Sequence, residues 1–165
     1  AILVDAVQAF GKIDASEFIG YCDWAILSGH KIGASVGVGA IIYAAGIDPS
    51  LNRPGGGQEK SIRSGTMNAP AIASFGKAAL EIANNIDENE KIKLIRDDFE
   101  NKLEDLFPDA IIIGKNVKRV GNTSCFAIPN MAAEHLVISL DLDGICIYKY
   151  NPFLNHWLKH TVYLE

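Results

Sequence analysis

Apolar and polar positions along this chain fall into two regimes, short apolar runs in the first third and helical spacing in the middle. Ile2–Asp5 and Trp24–Leu27 are apolar runs of strand length, each closed by polar or glycine residues. Between them, residues 14–20 predict a short helix capped by Asp14 or Ser16, which makes a compact β–α–β unit. A further strand is expected over Val38–Tyr43. Too few residues separate it from the Trp24 strand for a parallel crossover, which needs about a dozen, so the pair is expected to be antiparallel.

Gly46–Gly57 reads as a loop, with Pro49, Pro54 and a run of three glycines. Asn68 followed by Pro70 predicts a capped helix start, and Ile72, Phe75, Ala79, Ile82 and Ile86 share one helical face running to about Asn85. Asp87 with Glu90 forms a capping box for a second helix, whose apolar side would be Ile92, Ile95, Phe99, Leu103 and Leu106. The remainder predicts strands over 110–113 and 123–128, a helix over about 132–142, and a strand over Ile145–Ile147. A small α+β lobe fits that order. Residues 148–165 carry three tyrosines, Phe153 and Trp157 without defensible periodicity and read as an atypical tail.

Composition narrows the class. Apolar residues at 48% and charged residues at 21% are those of an ordinary globular protein, and 165 residues can bury a real core. A net charge of −5 argues against nucleic acid or an anionic membrane as a partner. No apolar run approaches the ~20 residues of a membrane span. The start, A-I-L-V-D, has no signal-peptide pattern and begins within a predicted strand, so the chain reads as part of something longer. Cys22, Cys125 and Cys146 are odd in number and widely spaced, which suggests neither a disulfide framework nor a zinc site and fits a reducing compartment.

The chemistry concentrates after the Trp24 strand. Ser28-Gly29 breaks the run and presents His30 and Lys31 at a strand's carboxyl end, where open α/β sheets place ligands. A lone lysine there is most often a solvated loop residue. Partial desolvation would instead favour its neutral amine and Schiff-base chemistry. Asp5, at the end of the preceding strand, changes the balance. A lysine amine and a carboxylate at neighbouring strand ends are the pair that pyridoxal 5'-phosphate (PLP) requires, the amine for the carbonyl and the carboxylate for the ring nitrogen.

Four motifs then occur in order: V-D-A-V-Q-A-F-G-K (Val4–Lys12), L-S-G-H-K (Leu27–Lys31), G-G-G-Q-E (Gly55–Glu59) and R-S-G-T-M-N (Arg63–Asn68). Together they closely resemble the cysteine desulfurases, PLP-dependent enzymes of the class V aminotransferase family, over roughly residues 1–147. The resemblance implies an α/β fold. Residues 1–86 would be the C-terminal part of a PLP fold type I large domain with a mostly parallel sheet, and 87–147 part of a small α+β domain. It implies Lys31 as the catalytic, cofactor-bearing lysine, Asp5 on the pyridinium nitrogen and Gln8 on the phenolate oxygen. Ser28 and His30 would hold the phosphate, and Thr66 would reach the phosphate of a homodimeric partner. Read alone, each has an ordinary alternative: a strand-end residue for Ser28 and His30, a cap for Asp5, a polar helix position for Gln8. Arg63 is equally explained by a structural ion pair.

The family reaction converts L-cysteine to L-alanine and passes sulfur as a persulfide to an acceptor scaffold for iron–sulfur or thio-cofactor assembly, in the cytoplasm or mitochondrial matrix. Direct nucleic-acid or membrane binding is not expected. Two departures from the family stand out. G-A-S-V-G (Gly33–Gly37) replaces a G-P-K-G-like turn, losing rigidity and one positive charge. Where relatives carry a Ser/Gly-rich loop with the catalytic cysteine, this chain has Y-K-Y-N-P-F-L-N-H-W, as a frameshift, a premature stop or a mispredicted reading frame would produce. Cys146, within I-C-I, reads as a small buried hydrophobe rather than an exposed nucleophile, and Cys22 and Cys125 have core readings too. The expectation is a desulfurase fragment, inactive alone, that lacks the N-terminal part and the cysteine loop. Another class V aminotransferase, a selenocysteine lyase, or a non-catalytic dimerisation or interaction remnant are the alternatives.

Overall fold

The computed structural model describes residues 1–49, 55–85, 88–149 and 161–164. The chain divides into two compact units, Ala1–Ile86 and Asp87–Glu165.

In the first unit, β1 (Leu3–Asp5), β2 (Trp24–Ser28) and β3 (Gly39–Tyr43) form a three-stranded sheet in that order. β1 pairs with β2 in parallel, with Leu3 opposite Trp24 and Asp5 opposite Ile26. β2 pairs with β3 antiparallel, as the short connection requires, with Trp24 opposite Tyr43 and Ser28 opposite Gly39. The β1–β2 link carries α1 (Ser16–Ile19), whose entry is braced by the Asp14 carboxylate accepting from the Ser16 N–H at 2.9 Å.

α2 (Ala69–Asn84) starts as its sequence predicts. The Asn68 side chain accepts from the Ala71 N–H at 3.2 Å, and proline occupies the first turn. Asn68→Ala is expected to lower the stability of this unit by about 1 kcal/mol, read as a fall in its urea midpoint. The buried stripe of α2 is largely the expected one, with Ala71 in place of Ile72. Ala71 is buried and Phe75, Ala79 and Ile82 are half-buried, whereas Ile72 is exposed. Ile86 and Asp87 lie outside the described residues, and so do residues 50–54 of the predicted loop.

The second unit opens with α3 (Glu88–Leu106). Its inward stripe keeps Leu103, buried, and Phe99, half-buried, from the expected set but corrects the rest: Arg96 and Glu100 are buried, while Ile92, Ile95 and Leu106 are exposed. Helical spacing alone assigned the apolar residues to the core, but an ion cluster centred on Glu100 occupies two of the inward positions. β4 (Ile111–Ile112), β5 (Ser124–Ala127), β6 (Tyr148–Lys149) and β7 (Thr161–Leu164) form an antiparallel sheet ordered β4-β5-β7-β6. α4 (Ala133–Leu142) follows β5 in the chain. Leu103, Ile112, Phe126, Ile128 and Ala133 make the core, with Phe99 stacked at a tilt against Phe126 at 5.8 Å.

Two expectations at the chain's end are corrected. Residues 145–147 are not a strand. The chain leaves α4 through Gly144 at φ +77°, and the Ile145 N–H returns to the Leu140 carbonyl at 2.8 Å, so extended pairing begins only at Tyr148. The supposedly patternless tail also contributes two strands, and T-V-Y-L does carry the β-branched and aromatic character that favours them. Residues 150–160 and 165 lie outside the described residues.

Among the described residues, no helix is long and apolar enough to cross a membrane.

Candidate cofactor edge

The parallel register of β1 and β2 puts their carboxyl ends on one edge of the sheet. Asp5 closes β1 opposite Ile26, and β2 runs two residues further to Ser28. The backbone then tightens into a 3-10 turn, Gly29–Ile32, that carries His30 and Lys31. Asp5, Ser28, His30 and Lys31 are therefore assembled on one sheet edge.

Gly29 explains why the turn is possible. It is buried, its N–H donates to the Val38 carbonyl at 2.9 Å, and a Cβ there would lie 2.7 Å from Val38 and 3.0 Å from Phe75 of α2. Gly33 ends the turn at φ +84°, a left-handed conformation glycine adopts without penalty. The G-A-S-V-G turn forms despite its departure from the family pattern. Gly37 also has positive φ, and the Ser35 N–H donates to the Ser74 hydroxyl of α2 at 3.0 Å. Attachment to α2 takes over the bracing that a proline would supply.

The side chains on this edge have defined hydrogen-bond roles. Ser28 Oγ and His30 Nδ1 are 2.9 Å apart. If the hydroxyl donates to Nδ1, the imidazole keeps a donor at Nε2; if Nδ1–H donates, the hydroxyl keeps its proton for another acceptor. Either tautomer leaves the pair one donor for an anion. One Asp5 oxygen accepts from the Val7 N–H at 3.0 Å, and the other is able to accept from a ligand. Gln8 Oε1 accepts from Lys12 Nζ at 2.8 Å, which leaves the amide N–H₂ as the donor end. Lys31 is half-buried, whereas Asp5, Gln8 and His30 are exposed.

Thr66 lies on a separate loop, exposed, just before the Asn68 cap. Arg63 shapes that loop from within, its guanidinium donating to the Ser64 carbonyl at 3.1 Å and the Gly65 carbonyl at 3.3 Å, which favours a structural role. Cys22 is half-buried and Cys125 buried, but Cys146 is exposed, contrary to its sequence reading. It lies between α4 and β6, outside any strand.

The residue set that sequence reasoning did not assemble is in the second unit. Glu100 is 2% exposed and accepts from both terminal nitrogens of Arg119, at 2.7 and 2.6 Å, and from the Ser124 hydroxyl at 2.7 Å. Arg96, also buried, donates to the Val120 carbonyl at 2.9 Å. Burial pushes the Glu100 carboxyl upward, but hydrogen bonds from Arg119 and Ser124 and the nearby cations outweigh it, so the net shift is below the ordinary value. Glu100 in turn holds the Arg119 guanidinium above its ordinary range. Arg119 is visible in the sequence; only the fold shows that its partner is nineteen residues upstream on α3.

The fold is that of a class of proteins that are PLP-dependent in general. Residues 1–149 match the aminotransferase class-V family, to which this chain belongs. It is 37% identical over 144 residues to a cysteine desulfurase of Nostoc sp., an alignment covering 87% of this chain and 36% of that protein. Cysteine desulfurase 2 of Trichormus variabilis is 34% identical over 143 residues, again 87% of this chain and 36% of the relative. Among solved structures, a NifS-like protein from Rickettsia africae superposes with a TM-score of 0.89 at 37% identity, covering 98% of this chain and 47% of that one. A second NifS-like protein gives 0.85 at 27% identity, covering 98% and 46%. The expected α/β fold of PLP fold type I is thus found, in a chain that spans 36% of these curated relatives.

Proposed function

We propose that this chain carries the lysine-bearing edge of a PLP-dependent cysteine desulfurase. One observation carries the reading: the β1–β2 register gathers an acceptor carboxylate, an amine and a hydroxyl–imidazole pair on one sheet edge. That donor set fits PLP group by group. Asp5 would accept from the ring nitrogen, Gln8 would donate to the phenolate oxygen, and Ser28 and His30 would donate to the phosphate. Lys31 would hold the cofactor and then move a proton at the substrate Cα. PLP, when bound, supplies the electron-withdrawing ring that makes that proton removable.

The substrate would be L-cysteine, as the desulfurase relatives suggest, with the sulfur leaving for an acceptor protein in a reducing compartment. Thr66 would act across a homodimer. Cys146, though exposed, precedes β6 rather than occupying the family's mobile loop, and no persulfide role is assigned to it. The 165-residue polypeptide alone is proposed to be unable to complete the reaction. A PLP phosphate held by few charge-assisted bonds, each worth about 1.5–3 kcal/mol, would also bind orders of magnitude more weakly than in a complete site.

The test adds PLP to the purified chain, follows the visible spectrum, and maps borohydride-stabilised adducts by peptide mass. Labelling confined to Lys31 is the expected result. Labelling spread over surface lysines would overturn the assignment, and alanine released from cysteine by this polypeptide would overturn its inactivity.

A further inference from the structure

The turn that carries Lys31 is held at both ends by adjacent residues of α2. At its start, the Phe75 ring lies against Gly29, 3.0 Å from where a side chain would begin. Just past its end, the half-buried Ser74 accepts through its hydroxyl from the Ser35 N–H at 3.0 Å. Between these points the chain closes on itself. The Ala34 N–H donates to the Gly29 carbonyl at 3.0 Å, and the Gly29 N–H to the Val38 carbonyl at 2.9 Å.

The Phe75 contact is apolar packing, whereas the Ser74 bond is directional and joins residues thirty-nine apart in sequence. A serine inside a helix ordinarily turns its hydroxyl to solvent or to a carbonyl one turn back, and it is a weaker helix former than alanine. Here the hydroxyl instead accepts from another element. The bond needs an N–H at position 35, which G-A-S-V-G supplies and a proline would not. Gly33 and Gly37, both at positive φ, give the segment little stiffness of its own. Without the Ser74 bond, residues 33–37 are free to shift, and Lys31 shifts with them relative to Asp5.

We propose that Ser74 is a positioning residue for Lys31: through the Ser35 N–H it fixes the segment that closes the lysine turn, and so holds the amine at the cofactor edge. The proposal rests on the cofactor reading above for what the amine captures. That the turn is held at all rests on α2.

The test compares the wild-type chain with Ser74→Ala in two measurements. Borohydride trapping gives the PLP concentration for half-maximal Lys31 labelling. Acetic anhydride, without PLP, gives the acetylation rate of Lys31 relative to the exposed Lys77 and Lys102. Loss of one hydrogen bond is expected to raise that PLP concentration roughly fivefold and to quicken relative acetylation, because a looser turn exposes the amine while misplacing it. Ser74→Thr, which keeps the hydroxyl, should restore both values. In a Ser35→Pro chain, which has no N–H at position 35, Ser74→Ala should change neither. Alanine favours the helix, so α2 should stay folded, and a circular dichroism melt of each variant verifies it. Unchanged acetylation in Ser74→Ala, or Lys31-confined labelling at an unchanged PLP concentration, would overturn the positioning role. So would failure of Ser74→Thr to restore the values, or a full effect of Ser74→Ala in the Ser35→Pro background. Wild-type PLP labelling spread over surface lysines refutes the cofactor assignment instead, and acetylation then decides the positioning by itself.

Discussion

Glu100→Ala is expected to destabilise the second unit by about 3 kcal/mol, the low end for breaking a buried ion pair because Arg119 keeps some solvent contact. The substitution removes the acceptor for both Arg119 nitrogens and for Ser124 at once, and leaves the buried Arg96 without the nearby carboxylate at 3.9 Å. Against a typical total of about 5–15 kcal/mol, a loss of that size is readily seen as a lower urea midpoint. Glu100→Gln should cost less, since its amide oxygen still accepts one bond, but it loses the charge. The pH dependence has a definite sign. The folded carboxyl titrates below the ordinary 4.5, so the unfolded chain binds its proton first as pH falls. The stabilisation is therefore full above about 4.5 and is lost progressively on acidification below it. The wild-type chain should lose stability in that window, and Glu100→Ala should flatten the dependence. An unchanged urea midpoint in Glu100→Ala would show that the cluster is not a stabilising element.

Lys31→Ala carries the largest functional effect. It should abolish the borohydride-stable PLP adduct, because an alanine side chain cannot bond to the cofactor's aldehyde. The fold should survive. Lys31 is half-buried on a 3-10 turn whose geometry is set by Gly29, Val38 and Phe75 rather than by the lysine. The melting temperature is expected to move little, since substitutions away from core features usually stay within about 0.5 kcal/mol. Loss of labelling together with loss of folding would leave the lysine a structural residue and sink its catalytic assignment. Lys31→Arg makes the contrast sharper, keeping the positive charge while removing the nucleophilic amine.

Much of the edge could be read without coordinates because it is local in sequence. W-A-I-L-S is short, apolar and closed by Ser-Gly, and it forms β2 with Lys31 immediately beyond it. The antiparallel β3 followed from the length of the connection alone, and the start of α2 from Asn68 and Pro70, whose effects act within one turn. What could not be read was which arc of α3 meets the core. Ile95 and Leu106 fit the expected stripe of α3, yet they are 71% and 74% exposed. Periodicity sets an angle between residues but not which arc meets the core.

The sequence by itself determined the carboxyl ends of β1 and β2, the turn chemistry and the family, because four ordered motifs and short-range sterics need no knowledge of packing. Tertiary structure alone decided that Glu100 and Arg119 meet, that Cys146 is exposed, and that residues 148–149 and 161–164 join a sheet. The physical reason is common to all three. Burial and pairing depend on which distant segment arrives opposite, and an ion pair spanning α3 and the β5 approach leaves no periodic trace in either segment.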